Sequence, residues 1–230
     1  MNFFMRIIFW TVTIIGLSCV WLVFYILSFI KPSWLIYIYY LQGQVLRLSI
    51  ACANIKLENM PIIHPEKKYL FTANHQSFDD TIIMNALLAK HGIYPRVMLK
   101  EYLSYIPFLT TVAKYMGYIF IGDNVRTNIK RMQIACDQHT ECNGWGLFPE
   151  GHRADKGSLL KPHTAGVKWI IKNFPDHLWL DYTIIYTSKE IRVITTVMPQ
   201  TNSSQEVEKA LFALWKEKES YGLRPIDEQQ

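Results

Sequence analysis

The body of this chain is predicted to fold as an α/β domain, with a central mixed, largely parallel sheet flanked by helices. Three observations lead there. From about residue 55 onward, short β-type runs alternate with helical patterns, the order that builds strand–helix–strand units. A length of 230 residues suits one sizeable domain and is too short for two ordinary ones. An apolar segment stands apart at the N-terminus, so residues 1–50 are assigned to a membrane anchor and residues 51–230 to a single catalytic domain.

The first element is the anchor. No charged residue occurs from Ile7 to Ile30, and about 20 apolar residues suffice for a helix to cross the hydrocarbon core. Arg6 before the run resembles the start of a secretory signal. The run is too long for one, and no small-x-small cleavage site follows it. It ends at Lys31-Pro32, and a retained anchor is expected. A second apolar stretch, Trp34 to Tyr40, is rich in Trp and Tyr and leads into Gln42, Gln44 and Arg47 interleaved with Leu41, Val45, Leu46 and Leu48. Such a pattern fits a helix lying in the membrane interface, and equally an amphipathic helix packed on the domain. One spanning helix and a two-helix anchor are both compatible with it.

Strands are expected at Tyr69–Ala73, Arg96–Leu99, Tyr118–Ile121, Trp145–Phe148, Trp179–Tyr186 and Ile191–Val197. Between them, helices are expected near Asp79–His91, Tyr102–Tyr115, Asn128–Glu141 and Thr164–Asn173. A last helix near Ser204–Lys218 places Val207, Leu211, Leu214 and Trp215 on one face, which should dock on the domain and close it.

Composition limits the function classes. Half of the residues are hydrophobic and 19% are charged, which excludes a disordered or solvating chain. Of the net charge of +5, the first 50 residues hold +3 through Arg6, Lys31 and Arg47, and the remaining 180 hold only +2. A nucleic-acid partner would require clustered basic residues. Positive charge on the most apolar segment fits an anionic membrane surface instead. Four cysteines (Cys19, Cys52, Cys136, Cys142) are too few for a disulfide scaffold. Cys136, His139 and Cys142 have no nearby fourth ligand, so free thiols are expected and no metal.

Two segments carry candidate chemistry. The strand Tyr69–Ala73 runs into Asn74-His75-Gln-Ser-Phe-Asp79-Asp80. With His75 in the turn and a helix starting near Ser77–Asp79, the imidazole can fold back so that Asp80 accepts from one ring nitrogen. The tautomer is then fixed, and the imidazolium formed by proton uptake is steadied. The spacing alone also reads as a turn histidine followed by helix caps at Asp79 or Asp80. The strand Trp145–Phe148 opens into Pro149-Glu150-Gly151-His152-Arg153, at the carboxyl edge of the sheet where α/β ligand sites form. Gly151 permits close backbone approach, and Arg153 offers a fork of donors matched to phosphate. A plain surface turn has the same composition.

Taken together, Asn74-His75 with Asp80, then Phe148-Pro149-Glu150-Gly151 and Arg153, resemble the glycerolipid acyltransferase family. Its best-known members are the 1-acylglycerol-3-phosphate acyltransferases. Leu99-Lys100-Glu101 with Ile106-Pro107, and then Gly117 to Ile121, resemble that family's second block. The similarity covers roughly residues 55–190.

The resemblance implies acyl transfer from acyl-CoA or acyl-carrier protein to the free hydroxyl of a lysophospholipid, most simply lysophosphatidate. His75 would be the general base and Asp80 its orienting partner. Glu150 and Gly151 would shape the acceptor pocket. Arg153, with Lys100 assisting, would hold the phosphate. It implies no cofactor beyond the acyl carrier and a membrane lipid as partner. It also places the enzyme at a cell inner membrane or endomembrane, with its site facing the cytosol.

The chain departs from the family pattern in three places. His152 stands where Thr is common. Gly122-Asp123 stand where an Arg is expected, with Arg126 three residues beyond Asp123. In place of the usual Val-Pro block near the fourth strand, Leu160 to Gly166 and then Asp181-Tyr182-Thr183 look more like the branch that includes lysocardiolipin-type and eukaryotic-like lysophosphatidate enzymes. The alternatives are therefore a remodelling enzyme for another lysolipid, such as lysocardiolipin or lysophosphatidylglycerol, and a membrane lipid-binding protein without turnover.

Overall fold

The computed structural model describes residues 3–28, 36–51, 53–106, 109–111, 113, 116–139, 142–201 and 203–226. The sequence features at Lys31-Pro32, Trp34, Cys52, Pro107, Tyr115 and Glu141 lie outside the described residues. The fold is α/β, a mixed and mostly parallel sheet flanked by helices. The chain divides into two compact units, one from Ala53–Met84 with Leu147–Gln230 and one from Phe3–Cys52 with Asn85–Gly146.

In the first unit the strands are β1 (Ile55–Glu58), β2 (Tyr69–Ala73), β7 (Leu178–Tyr186) and β8 (Ile191–Val197), in the spatial order β1-β8-β7-β2. The pairs β1–β8 and β2–β7 are parallel, and the hairpin β7–β8 is antiparallel. Every residue of β2 is buried. This is why its sequence reads as a continuous run without alternation, the mark of a strand covered on both faces. β1 was not foreseen. Its Ile-Lys-Leu-Glu pattern is short and half-polar, as suits an edge, and Glu58 holds it to β8 by accepting twice from Arg192, at 2.9 and 2.8 Å. The two-residue strands β6 (Ser158–Leu159) and β9 (Arg224–Pro225) pair only with each other and are too short to show any period.

The unit's helices are the start of α3 (Phe78–Lys90), α5 (Ala165–Asn173) and α6 (Ser204–Ser220). On α6 the expected face is buried, with Val207, Leu211, Leu214 and Trp215 all at most 6% exposed. Ser203 caps the helix by accepting from the Glu206 N–H. The Trp215 indole donates to the Leu160 carbonyl at 2.9 Å. Lys218 lies on the same face, fully buried, with its amine 2.8 Å from Asp181 Oδ2 on β7. Asp181 also accepts from Thr72 Oγ1 at 2.6 Å, and that hydroxyl accepts from the Trp179 indole at 3.1 Å.

In the second unit, β5 (Gly144–Leu147), β3 (Pro95–Lys100) and β4 (Ile119–Ile121) are all parallel, in the order β5-β3-β4. Helix α4 (Val125–Gln138) is capped by Asn124, which accepts from the Thr127 N–H. Helix α1 (Phe3–Ser28) has 26 residues, about 39 Å at 1.5 Å per residue. Its stretch Arg6–Ile26 is long and apolar enough to cross a membrane, with mean hydropathy 2.3. Phe4, Ile14, Ile15 and Leu22 on it are exposed.

α1 and α2 (Ile36–Ala51) meet closely at Gly16, where an added Cβ would lie 2.6 Å from Val45 Cγ1. A small residue is needed for that approach. Gln42 on α2 accepts from the Trp21 indole at 2.9 Å and donates to the Tyr118 hydroxyl at 3.0 Å. α2 is thus packed within this unit, with Leu41 and Leu48 left exposed.

One expected helix is corrected in its first half only. Over Tyr102–Tyr115 the chain begins as a short 3-10 turn, Glu101–Tyr105, that stops at Ile106 in extended conformation, and residues 109–111 and 113 are helical again. Ile106 precedes Pro107, and a residue before proline is disfavoured in the helical region.

Candidate active site

The first unit brings together five of the predicted site residues: His75, Asp80, Glu150, Gly151 and Arg153. Lys100 ends β3 in the second unit, half-exposed and in register with Ile121.

His75 lies in the turn between β2 and α3. Its Nδ1 is 3.2 Å from Asp80 Oδ2, a reach that a continuous helix would not allow at this spacing. The turn wraps around the carboxylate, and the N–H groups of Gln76 and Ser77 also donate to Asp80 Oδ2, at 2.5 and 2.7 Å. The other oxygen, Oδ1, accepts from the Tyr186 hydroxyl at the end of β7. Asp80 is fully buried, while the His75 side chain keeps 16% exposure. Asp79, the other acidic residue of the helix start, is buried beside it, its N–H donating to Ser77 Oγ at 3.3 Å.

The Phe-Pro-Glu-Gly segment clamps the turn from the other side. The Phe148 ring stacks on the imidazole with centroids 4.1 Å apart and planes 17° off parallel. Glu150 is buried and uses both carboxylate oxygens on backbone donors, the His75 N–H at 2.9 Å and the Leu160 N–H at 2.8 Å. The Ala154 N–H donates to the His75 carbonyl at 2.8 Å. Burial pushes Glu150 up to about 7, against those two N–H donors and Lys218, which pull it down. Gly151 sits at φ +70°, which favours glycine, and a Cβ there would also crowd the His163 ring at 3.2 Å. Arg153 is exposed, with its guanidinium 3.7 Å from the centroid of the exposed Phe78 ring. Lys156 lies farther along the same loop, its amine 4.3 Å from the Tyr186 ring centroid.

Sequence reasoning missed the partners that come from β7. Asn74 donates to the Ile184 carbonyl at 2.9 Å and accepts from the Ile184 N–H at 2.7 Å, so its amide extends the β2–β7 ladder by one rung. Tyr186 is the second. Both lie more than 100 positions from their partners, beyond any local pattern. The one available signal was the place of Tyr186 at the carboxyl end of a strand.

In the second unit, Gly122 of the Gly122-Asp123 pair is bracketed by Asn128, which accepts from the Gly122 N–H at 3.0 Å and donates to its carbonyl at 2.7 Å. Arg131, not Arg126, is the anchored cation there, donating to the Phe120 carbonyl at 2.9 Å and to Glu101 at 2.6 Å. The segment with Cys136, His139 and Cys142 is closed by Arg96, whose guanidinium donates to the His139 and Cys142 carbonyls.

The family model for acyltransferases matches residues 54–187, more than half of the chain, and the chain belongs to that family. It is an acyltransferase by this membership, and its apolar N-terminal helix fits association with a membrane. Among solved structures, the 1-acyl-sn-glycerophosphate (LPA) acyltransferase PlsC from Thermotoga maritima shares the fold. The TM-score is 0.58 at 15% identity, over 92% of this chain and 98% of that one. No curated protein matches the chain.

Proposed function

We propose that this protein transfers a fatty acyl group from a thioester donor, acyl-CoA or acyl-carrier protein, to the free hydroxyl of a lysophospholipid. The acceptor that fits best is 1-acylglycerol-3-phosphate, giving phosphatidate. The observation that carries this reading is the His75–Asp80 contact on a partly exposed imidazole.

With Nδ1–H donating to Asp80, the lone pair of His75 is on Nε2. That nitrogen takes the hydroxyl proton as the oxygen attacks the thioester carbonyl carbon, and Asp80 steadies the resulting imidazolium. When the tetrahedral intermediate collapses, the C–S bond breaks and the departing sulfur takes the proton from Nε2. A thioester is already activated, so base and positioning supply the rate without a further cofactor.

Glu150 and Gly151 shape the acceptor side by holding the His75 and Leu160 backbones and by opening room at the turn. Arg153 holds the acceptor phosphate through its guanidinium fork. Lys100 is assigned to assist on the strength of the family resemblance alone. Residues 1–50 serve as the anchor and 51–230 as the catalytic domain, with the site facing the cytosol, where acyl donors are held.

Two experiments test the proposal. Expression in a host lacking lysophosphatidate acylation should restore phosphatidate in the lipid profile. Purified protein given acyl-CoA and a panel of lysolipids should acylate lysophosphatidate fastest. A preference for lysocardiolipin or lysophosphatidylglycerol would move the assignment to a remodelling enzyme. No acyl transfer to any lysolipid would end it.

A further inference from the structure

We infer that Tyr186 is a positioning residue for the acyl-transfer step, acting through Asp80: its hydroxyl fixes the carboxylate so that Oδ2 alone faces His75. This rests on the reading of His75 as the base.

The two oxygens of Asp80 are held by different groups. Oδ2 is held by two loop N–H groups and meets Nδ1 of His75. Oδ1 has the Tyr186 hydroxyl as its donor. Asp80 is fully buried, so an oxygen stripped of its donor would be costly and would favour rotation of the carboxylate. Two donors on one side and one on the other pin the carboxylate plane, and the Nδ1–H axis of His75 with it.

Tyr186 itself is rigidly carried. It ends β7 in register with Ile191 of β8. The turn beyond it is closed by the Thr187 N–H donating to the Glu190 carbonyl at 3.0 Å. Two residues back, Ile184 is stitched to Asn74 at the root of the His75 turn. The strand end and the catalytic turn are therefore one joined piece.

The charged and titratable groups facing the Tyr186 hydroxyl and ring are few. Asp80 and Asp79 come from α3, and the Lys156 amine comes from the loop after Gly151. Burial and the two aspartates push the phenol well above its ordinary range, so it stays a donor throughout the working range of a histidine base.

The tyrosine donor withdraws charge from Asp80. Removing it leaves a more concentrated negative charge beside His75, which favours the imidazolium.

The test is Tyr186→Phe, measured as kcat, KM and the pH profile of kcat/KM, with thermal unfolding to normalise for folded protein. The expected result is a kcat about tenfold lower with acceptor KM within about twofold. The acid limb should move upward by about half a pH unit. In an Asp80→Asn background the same substitution should have little further effect, since both act through one carboxylate. An unchanged acid limb, a rise in KM at constant kcat, or an equal loss of rate in the Asp80→Asn background would each overturn the proposal. His75→Ala separates the two readings. If it retains turnover, the base assignment fails. If it is inactive while Tyr186→Phe behaves as the parent protein, only the positioning role fails.

Discussion

Two carboxylates in the first unit, Asp80 and Asp181, are both fully buried and both hydrogen-bonded, yet their surroundings differ in charge. Asp181 faces an ammonium, Lys218, with Thr72 and Trp179 completing the cluster. Asp80 faces two backbone N–H groups, a phenol and an imidazole. In the first case the Lys218 amine lies against the carboxylate, and the pair holds α6 to the sheet. In the second, neutral donors solvate the charge, and under the proposed function it responds when His75 gains a proton. On that proposal similar chemistry makes a fastener in one place and a rate device in the other.

The largest expected effect is on rate. Asp80→Asn keeps the shape and removes the charge, and should lower acyl transfer roughly a thousandfold. His75→Ala should abolish acyl transfer while folding and membrane association stay intact. An Asp80→Asn enzyme that still turned over at near-parental speed would erase the distinction between the two carboxylates.

The next effect is on stability. Lys218→Met leaves Asp181 as an uncompensated buried charge, and breaking such a pair costs about 3–5 kcal/mol. Denaturant unfolding should show this loss, while the rate per folded molecule changes little. Adding Asp181→Leu to that variant should recover most of the stability, because a buried ion pair and an apolar replacement are often close in free energy.

Cations extend the comparison from inside to outside. Lys218 is sealed, whereas Arg153 rests on an exposed aromatic ring. Arg153→Ala should raise KM for a phosphorylated acceptor about tenfold and leave the unfolding midpoint nearly unmoved. Equal effects on phosphorylated and unphosphorylated acceptors would remove its phosphate role.

A further effect concerns Glu150, another buried carboxylate. Folding raises it from 4.5 to about 7, so the folded state holds a proton that the unfolded state has released. Its contribution to stability is complete below about 4.5 and declines as pH rises through about 7. Unfolding free energies measured across that window should fall with rising pH, and Glu150→Gln should flatten the slope.

Much of this was legible beforehand, for physical reasons. Tyr69–Ala73 and Ile191–Val197 were bounded to the residue, because apolar and β-branched runs closed by polar turns have few other readings. The paired segments at His75 and Glu150 were recognisable as local strings. What remained hidden was pairing over distance. Tyr186 and Ile184 reach the His75 turn across more than 100 positions, and β6 with β9 leaves no period. Lys218 did leave a trace: it continues the apolar stripe of Leu211, Leu214 and Trp215, where a lysine signals a buried acidic partner.

The Leu160 backbone has a consequence for protein engineering. Its N–H is held by Glu150 and its carbonyl by Trp215, so one residue's main chain couples the closing helix to the residue that grips the His75 backbone. A chain cut before Ser204 would therefore lose more than a surface cover. It would slacken the reactive turn from behind, and bulky fusions that pry at that helix should be felt as slower turnover before they are felt as unfolding.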